Sequence, residues 1–263
     1  MIGAIIGDIA GSRFEFNNYR HKDFELFTPE CMVTDDSMMT LAVGKAIMES
    51  KPDWSDLGRN AVKTMQQVGR PYPGCGYGGR FMEWMYSDNP QPYNSFGNGA
   101  AMRVSACGLA ARTLNEAKAL SKAVTEVTHN HPEGLKGAEA TAVAVFMARN
   151  GAGREEIREV IDREYYPMTF TLDEIRPTYW FNETCQDTVP QALQAFFEST
   201  DFEDAIRCAV SVGGDSDTLA AITGAVAEAF YGVPQHLQEQ AVAFMDERQK
   251  EILFRFREYL AAR

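Results

Sequence analysis

The sequence predicts an all-α protein, one compact multi-helix domain over residues 1–263, and three observations predict it. Apolar residues recur at helical spacing through most of the chain, whereas the alternating, β-branched runs that mark strands are nearly absent. Hydrophobic residues fill 45% of the 263 positions, enough for one large core, and no low-complexity linker or repeat divides the chain. Small residues follow one another closely at Gly137, Ala138, Ala140, Thr141 and Ala144, and again at Ala220, Ala221, Gly224 and Ala225, where helix backbones can pack tightly.

Taken in order, helical periodicity runs from Met38 to Met48 and from Leu57 to Val68. A small-residue helix is expected over about Gly99–Arg112. Further helices are expected at Leu135–Arg149, Ala205–Val212, Leu219–Tyr231 and, as one long element, Leu237–Leu260. Ser55, Asn115 and Asp201 are suited to N-caps, and Pro132, Pro190 and Pro234 stand at or just before helix starts, where a missing N–H costs least. Residues 69–98, with Pro71, Pro73, Pro90, Pro92 and a glycine-rich tract from Gly74 to Gly79, read as one long irregular segment. A loop of that length is usually functional.

The net charge of −12, with 25 Lys and Arg scattered along the chain, argues against nucleic acid as a binding partner. An anionic ligand would need local positive charge from a metal or a helix N-terminus. The cysteines Cys31, Cys75, Cys107, Cys185 and Cys208 are odd in number and form no CxxC pair, so neither a disulfide framework nor a zinc site is expected, and a reducing cytoplasm is the simplest compartment. Met1–Gly11 is apolar but short, lacks a basic flank and carries Asp8, unlike a signal peptide. No apolar run reaches membrane-span length.

Two carboxylate clusters carry the chemistry. Thr34-Asp35-Asp36-Ser37 lies directly before the helix at Met38, and Gly213-Gly214-Asp215-Ser216-Asp217-Thr218 directly before the helix at Leu219. A helix start needs one capping oxygen, whereas each cluster offers two carboxylates and a threonine hydroxyl. Together they supply the hard oxygen ligands that two shared divalent ions would require. Glu15, beside Phe14 and Phe16, is a candidate general base or mobile metal ligand, and Asp8 a structural partner. Gly97-Asn98-Gly99, followed by Arg103, could form an anion nest, and His129 and His131 could hydrogen-bond a ligand. Tyr77, Phe81 and Phe96 are candidates for stacking on an adenine ring.

In this order, Gly7-Asp8-Ile9-Ala10-Gly11 with Glu15, Thr34-Asp35-Asp36-Ser37, Gly97-Asn98-Gly99-Ala100-Ala101-Met102-Arg103, Thr128-His129-Asn130-His131-Pro132 and Gly213-Gly214-Asp215-Ser216-Asp217-Thr218 resemble the ADP-ribosylglycohydrolase family. The resemblance implies an all-α fold with a binuclear Mg²⁺ (or Mn²⁺) cleft whose ligands are Thr34, Asp35, Asp36, Asp215, Asp217 and Thr218. It implies Glu15, Asp36 and Asp217 as catalytic residues. Gly97, Asn98, Gly99, Arg103, His129, His131, Tyr77 and Phe96 would hold ADP-ribose. It further implies hydrolysis of the glycosidic bond between ADP-ribose and a modified protein or small molecule, with arginine as the default acceptor and serine, O-acetyl or nucleobase acceptors open. The tract 71–81 departs from some relatives in having no carboxylate, so substrate choice is where this chain is expected to differ, and 69–98 is the candidate selectivity segment. Two other readings use the same residues: a module or antitoxin that holds ADP-ribose without turnover, and a metal-dependent phosphoester or pyrophosphate hydrolase.

Overall fold

The computed structural model describes residues 1–263, and helices joined by turns make up nearly all of its regular structure. The only β pairing is an isolated bridge between Gly97 and Thr184. In chain order the helices are α1 (Ile2–Ser12), α2 (Asp35–Glu49), α3 (Leu57–Gly69), α4 (Gly79–Tyr86), α5 (Ser105–Ala110), α6 (Leu114–Thr125), α7 (Pro132–Arg149), α8 (Arg154–Glu164), α9 (Leu172–Ile175), α10 (Val189–Glu198), α11 (Phe202–Val210), α12 (Ser216–Tyr231), α13 (Gln235–Val242) and α14 (Glu247–Ala261). No helix is long and apolar enough to cross a membrane.

The centre of the molecule is the pair α1 and α12. Ile2 through Gly11 are all buried, so α1 is a core helix rather than an amphipathic surface one. Glycines at four-residue spacing let the two backbones touch. A Cβ at Gly7 would lie 2.0 Å from the Ala220 carbonyl oxygen, and one at Gly11 would lie 2.5 Å from Asp217 Cα. This approach places Asp8 beside the first turn of α12. Helices α2, α7, α10 and α11 pack around the pair, α3 and α14 cover α2, and α5 and α6 lie on α7. In α3 the spacing of Leu57, Ala61, Thr64, Met65 and Val68 buries one face, as periodicity predicts.

Several boundaries differ from the sequence expectation. The helix expected over Gly99–Arg112 is broken: residues Asn98–Ala100 form a single 3₁₀ turn, and α5 begins only at Ser105. Asn98 and Arg103 spend their side chains on other partners there, which competes with helix continuation. The helix expected over Leu237–Leu260 is two helices, because Asp246 starts α14 with a capping box to Gln249. Thr113, not Asn115, caps α6, and Asp56 rather than Ser55 precedes α3. Asp201 does cap α11, and Pro132 and Pro190 occupy first turns. The segment 69–98 is not wholly irregular, since it contains α4, whose Phe81, Trp84 and Met85 are buried. The short apolar run at Met1–Gly11 is helix α1, and α8 and α10 show no strong signal in the sequence reading.

Candidate active site

Two helix N-termini meet at the site. Thr34 caps α2, with its Oγ1 accepting from Asp36 N, so Asp35 and Asp36 occupy the first turn. Asp217 occupies the first turn of α12. The turn into α12 depends on Gly213 (φ +83°) and Gly214 (φ +70°). Besides the left-handed backbone, a Cβ at Gly214 would lie 2.6 Å from the Tyr179 ring. The positive ends of the two helix dipoles face the carboxylates and partly offset their repulsion.

Asp8 organises the α2 cap. Its oxygens accept from Thr34 N (3.0 Å), Thr34 Oγ1 (2.6 Å), Ser37 N (3.1 Å) and the Ser37 hydroxyl. Thr218 Oγ1 donates to Asp36 Oδ2 (3.1 Å), tying the two helix starts together, and Asn98 Nδ2 donates to Asp215 Oδ2 (2.6 Å). Carboxylate oxygens of Asp8, Asp36 and Asp217 lie within 4.8 Å of one another, as do those of Glu15, Asp215 and Asp217. Asp217 belongs to both groups. Asp35 belongs to neither; it is half-buried, its N–H donates to Cys75 O (2.7 Å) and its carboxylate lies against Gly76.

Asp36 Oδ1 is buried and has no hydrogen-bond donor. None of the six acids is in an ion pair. Burial, reinforced by the neighbouring charges, holds the Asp36 and Asp217 carboxyls well above the usual range. It raises Asp8 to about 6 and Asp35 to about 8. Glu15 is pushed up to about 7 by burial and then by the charges of Asp215, Asp8 and Glu183. Hard oxygen donors, an orphaned carboxylate oxygen and clustered like charge fit a hard metal cation.

With Asp8 buried behind them, Glu15, Asp35, Asp36, Asp215 and Asp217 line a cleft of about 280 Å³. Of the residues expected to hold a ligand, Gly97, Asn98, Gly99, Arg103 and His129 line it, whereas Tyr77, Phe96 and His131 do not. His131 caps α7 through its Nδ1, and Phe96 packs on its ring and lines an adjoining pocket. Tyr77 is buried under the cleft wall against Phe81. The Gly97–Gly99 turn is not an open nest: Asn98 N donates to Glu183 O (2.7 Å) and Gly97 N to Ser95 Oγ (3.2 Å).

Arg103 is a fully buried cation with no carboxylate partner. It donates through Nε to Gly99 O, approaches His129 Nδ1 through Nη2 (3.4 Å) and lies over the Phe81 ring. Burial, with Arg103 beside it, keeps His129 neutral. His129 Nδ1 lies 2.7 Å from Thr128 Oγ1 and 3.4 Å from Arg103 Nη2, which leaves Nε2 on the side of Gly97 and Gly99.

The sequence reading missed Gly76, Gly78, Gly79, Arg80, Tyr93 and Glu183, all of which line the cleft. Gly78 and Gly79 begin α4, whose first-turn N–H groups have no side-chain cap. The glycine-rich tract was a visible signal for this wall; Glu183 had none, because it arrives through the long-range bridge beside Thr184.

An all-helical fold around a buried acidic cluster that could bind metal defines the class of protein. A model of the ADP-ribosylglycohydrolase family matches residues 1–258. ADP-ribosylarginine hydrolase Tri1 of Pseudomonas putida is 26% identical, covering 94% of this chain and 76% of that protein. ADP-ribosyl-(dinitrogen reductase) glycohydrolase of Rhodospirillum rubrum is 28% identical, covering 76% of this chain and 69% of that one. A solved structure titled ADP-ribosylglycohydrolase-related protein complex superposes with a TM-score of 0.65 at 22% identity, covering 92% of this chain and 95% of that chain, and so shares the fold. The chain belongs to the ADP-ribosylglycohydrolase family, which places it among hydrolases.

Proposed function

We propose that this protein is a Mg²⁺-dependent hydrolase (Mn²⁺ serving as substitute) that cleaves the glycosidic bond between ADP-ribose and a modified acceptor, with arginine as the default. The observation that carries this reading is the cluster of Asp36, Asp215, Asp217 and Glu15 carboxylates, with Asp8 buried against it and no direct ion pair to any of them, in a cleft that is also lined by Arg80, Arg103 and His129. The acids suit divalent ions and the hydroxyls of a ribose; Arg80, Arg103 and His129 suit a diphosphate. In this reading Thr34, Asp35, Asp36, Asp215, Asp217 and Thr218 hold two ions, and Asp8 fixes Thr34. Bound there, the ions would supply Lewis acidity and orient the ribose hydroxyls.

The protein's own groups account for the remaining steps. The uncapped start of α4, with Arg80, and the His129 Nε2–H donate to phosphate oxygens. Asn98 sets the orientation of Asp215. Glu15, half-buried at the edge of the acids, takes a proton from the attacking water, while the fixed carboxylates stabilise positive charge developing on the ribose. The substrate is an ADP-ribosylated protein or a small ADP-ribose conjugate, with nucleic acid entering only as a modified substrate. The five unpaired cysteines support a cytoplasmic setting.

Product identity tests the reading. Incubation with arginine-linked ADP-ribose and Mg²⁺ should release intact ADP-ribose, identified by mass. AMP with ribose phosphate would instead establish a pyrophosphate hydrolase, and tight binding without any product would establish a module without turnover.

A further inference from the structure

One wall of the cleft mouth has no role in holding ADP-ribose as assigned above. Glu183 lines both the main cleft and the adjoining pocket. Its backbone is fixed, because Glu183 O accepts from Asn98 N (2.7 Å) and the next residue, Thr184, bridges to Gly97. Its carboxylate has no ion-pair partner and makes no side-chain hydrogen bond. Phe16, directly after Glu15, stacks on Phe181 at 5.6 Å between ring centroids, and both rings are exposed. Trp180 is 68% exposed, and the guanidinium of Arg20 lies over its ring at 5.5 Å.

Two carboxylates facing solvent beside exposed aromatic faces match the chemistry of a planar cation. A guanidinium pairs with carboxylate through its N–H fork and stacks its apolar faces on aromatic rings. A neutral acceptor would gain no charge pairing from Glu183. We infer that Glu183, with the Phe16–Phe181 pair, forms the acceptor subsite and selects a guanidinium leaving group over a neutral one. This rests on the proposed hydrolase reading and deepens it, since Glu183 is a specificity residue rather than one of the groups assigned to bond cleavage. Glu15 stands between the two functions, at the junction of the acids and this mouth.

The test compares kcat/KM for arginine-linked ADP-ribose with that for O-acetyl-ADP-ribose, in the wild-type protein, Glu183→Gln and Glu183→Asp, all loaded with Mg²⁺. The arginine-to-acetyl ratio should fall about three- to tenfold in Glu183→Gln through a rise in KM for the arginine-linked substrate, and Glu183→Asp should recover part of it. The wild-type preference should also weaken with added salt. An unchanged ratio in Glu183→Gln, or a wild-type protein that acts only on O-acetyl-ADP-ribose, at its glycosidic C–O bond, would overturn the acceptor assignment while leaving the hydrolase reading intact. A wild-type protein inactive on both substrates would overturn the hydrolase reading and this inference with it.

Discussion

At the scale of residues, the site is built from mutual repulsion that the fold holds in place. Asp36 accepts from Thr218 Oγ1 on one oxygen and from nothing on the other, and Asp217 sits in both carboxylate groups. Asp36→Asn or Asp217→Asn should therefore cut turnover about 100-fold or more, a loss typical of damage to a metal site. The same changes should raise the melting temperature of the metal-free protein, because they remove a charge from the cluster. A lowered metal-free melting temperature would mean that these groups are ordinary caps. The pH dependence has a definite sign. The carboxyls of Asp8, Glu15, Asp35, Asp36, Asp215 and Asp217 all titrate higher in the folded protein than in the unfolded chain. Between about pH 4 and 8 the folded state then binds more protons, so metal-free stability falls as pH rises through that window. His129, held neutral, works in the opposite direction below about pH 6.5, one group against six. Melting curves in chelator across this range check the sign, and saturating Mg²⁺ should flatten or reverse the trend.

At the scale of elements, the contact of α1 with α12 decides whether the acids meet. Gly7 faces the Ala220 carbonyl with no room for a methyl group, so Gly7→Ala should cost about 3 kcal/mol, at the upper end of core overpacking. It should also weaken metal binding by moving Asp8 away from Asp217, and urea midpoints together with Mg²⁺ titration would show both effects. A stability loss below about 1 kcal/mol would mean that the helices separate without consequence, which is less than overpacking normally costs. Element boundaries were legible where local chemistry set them: Asp201 and Pro132 mark starts that the structure contains. The break before α14 was also written locally, in Asp246 and Gln249, but helical periodicity on both sides hid it. The break after Ala100 was not local, because it depends on Asn98 reaching Asp215 and Thr188.

At the scale of the molecule, the clusters at residues 34–37 and 213–218 were legible as chemistry because each exceeds what a helix cap needs. Their convergence was not visible locally; it follows from α1, whose glycine spacing brings α12 close. Arg80 and Tyr93 were covered only as part of the 69–98 segment, and Glu183 left no local trace, since tertiary packing alone carries it to the cleft. His131 belonged to a recognisable motif and Phe96 directly preceded another, yet the first serves as a helix cap and the second faces a different pocket. Because metal binding to the folded state alone adds stability by mass action, Mg²⁺ at 100 times its dissociation constant should add about 2.7 kcal/mol per site, and chelation should remove it.

The most direct measurement follows release of intact ADP-ribose from arginine-linked substrate, by mass, with Mg²⁺, with chelator, and with Asp217→Asn under Mg²⁺. Release is expected with Mg²⁺, none with chelator, and release slowed about 100-fold or more in Asp217→Asn. Release at an undiminished rate in chelator or in Asp217→Asn would contradict this, because the acids where α2 and α12 meet would then not be the centre of the reaction.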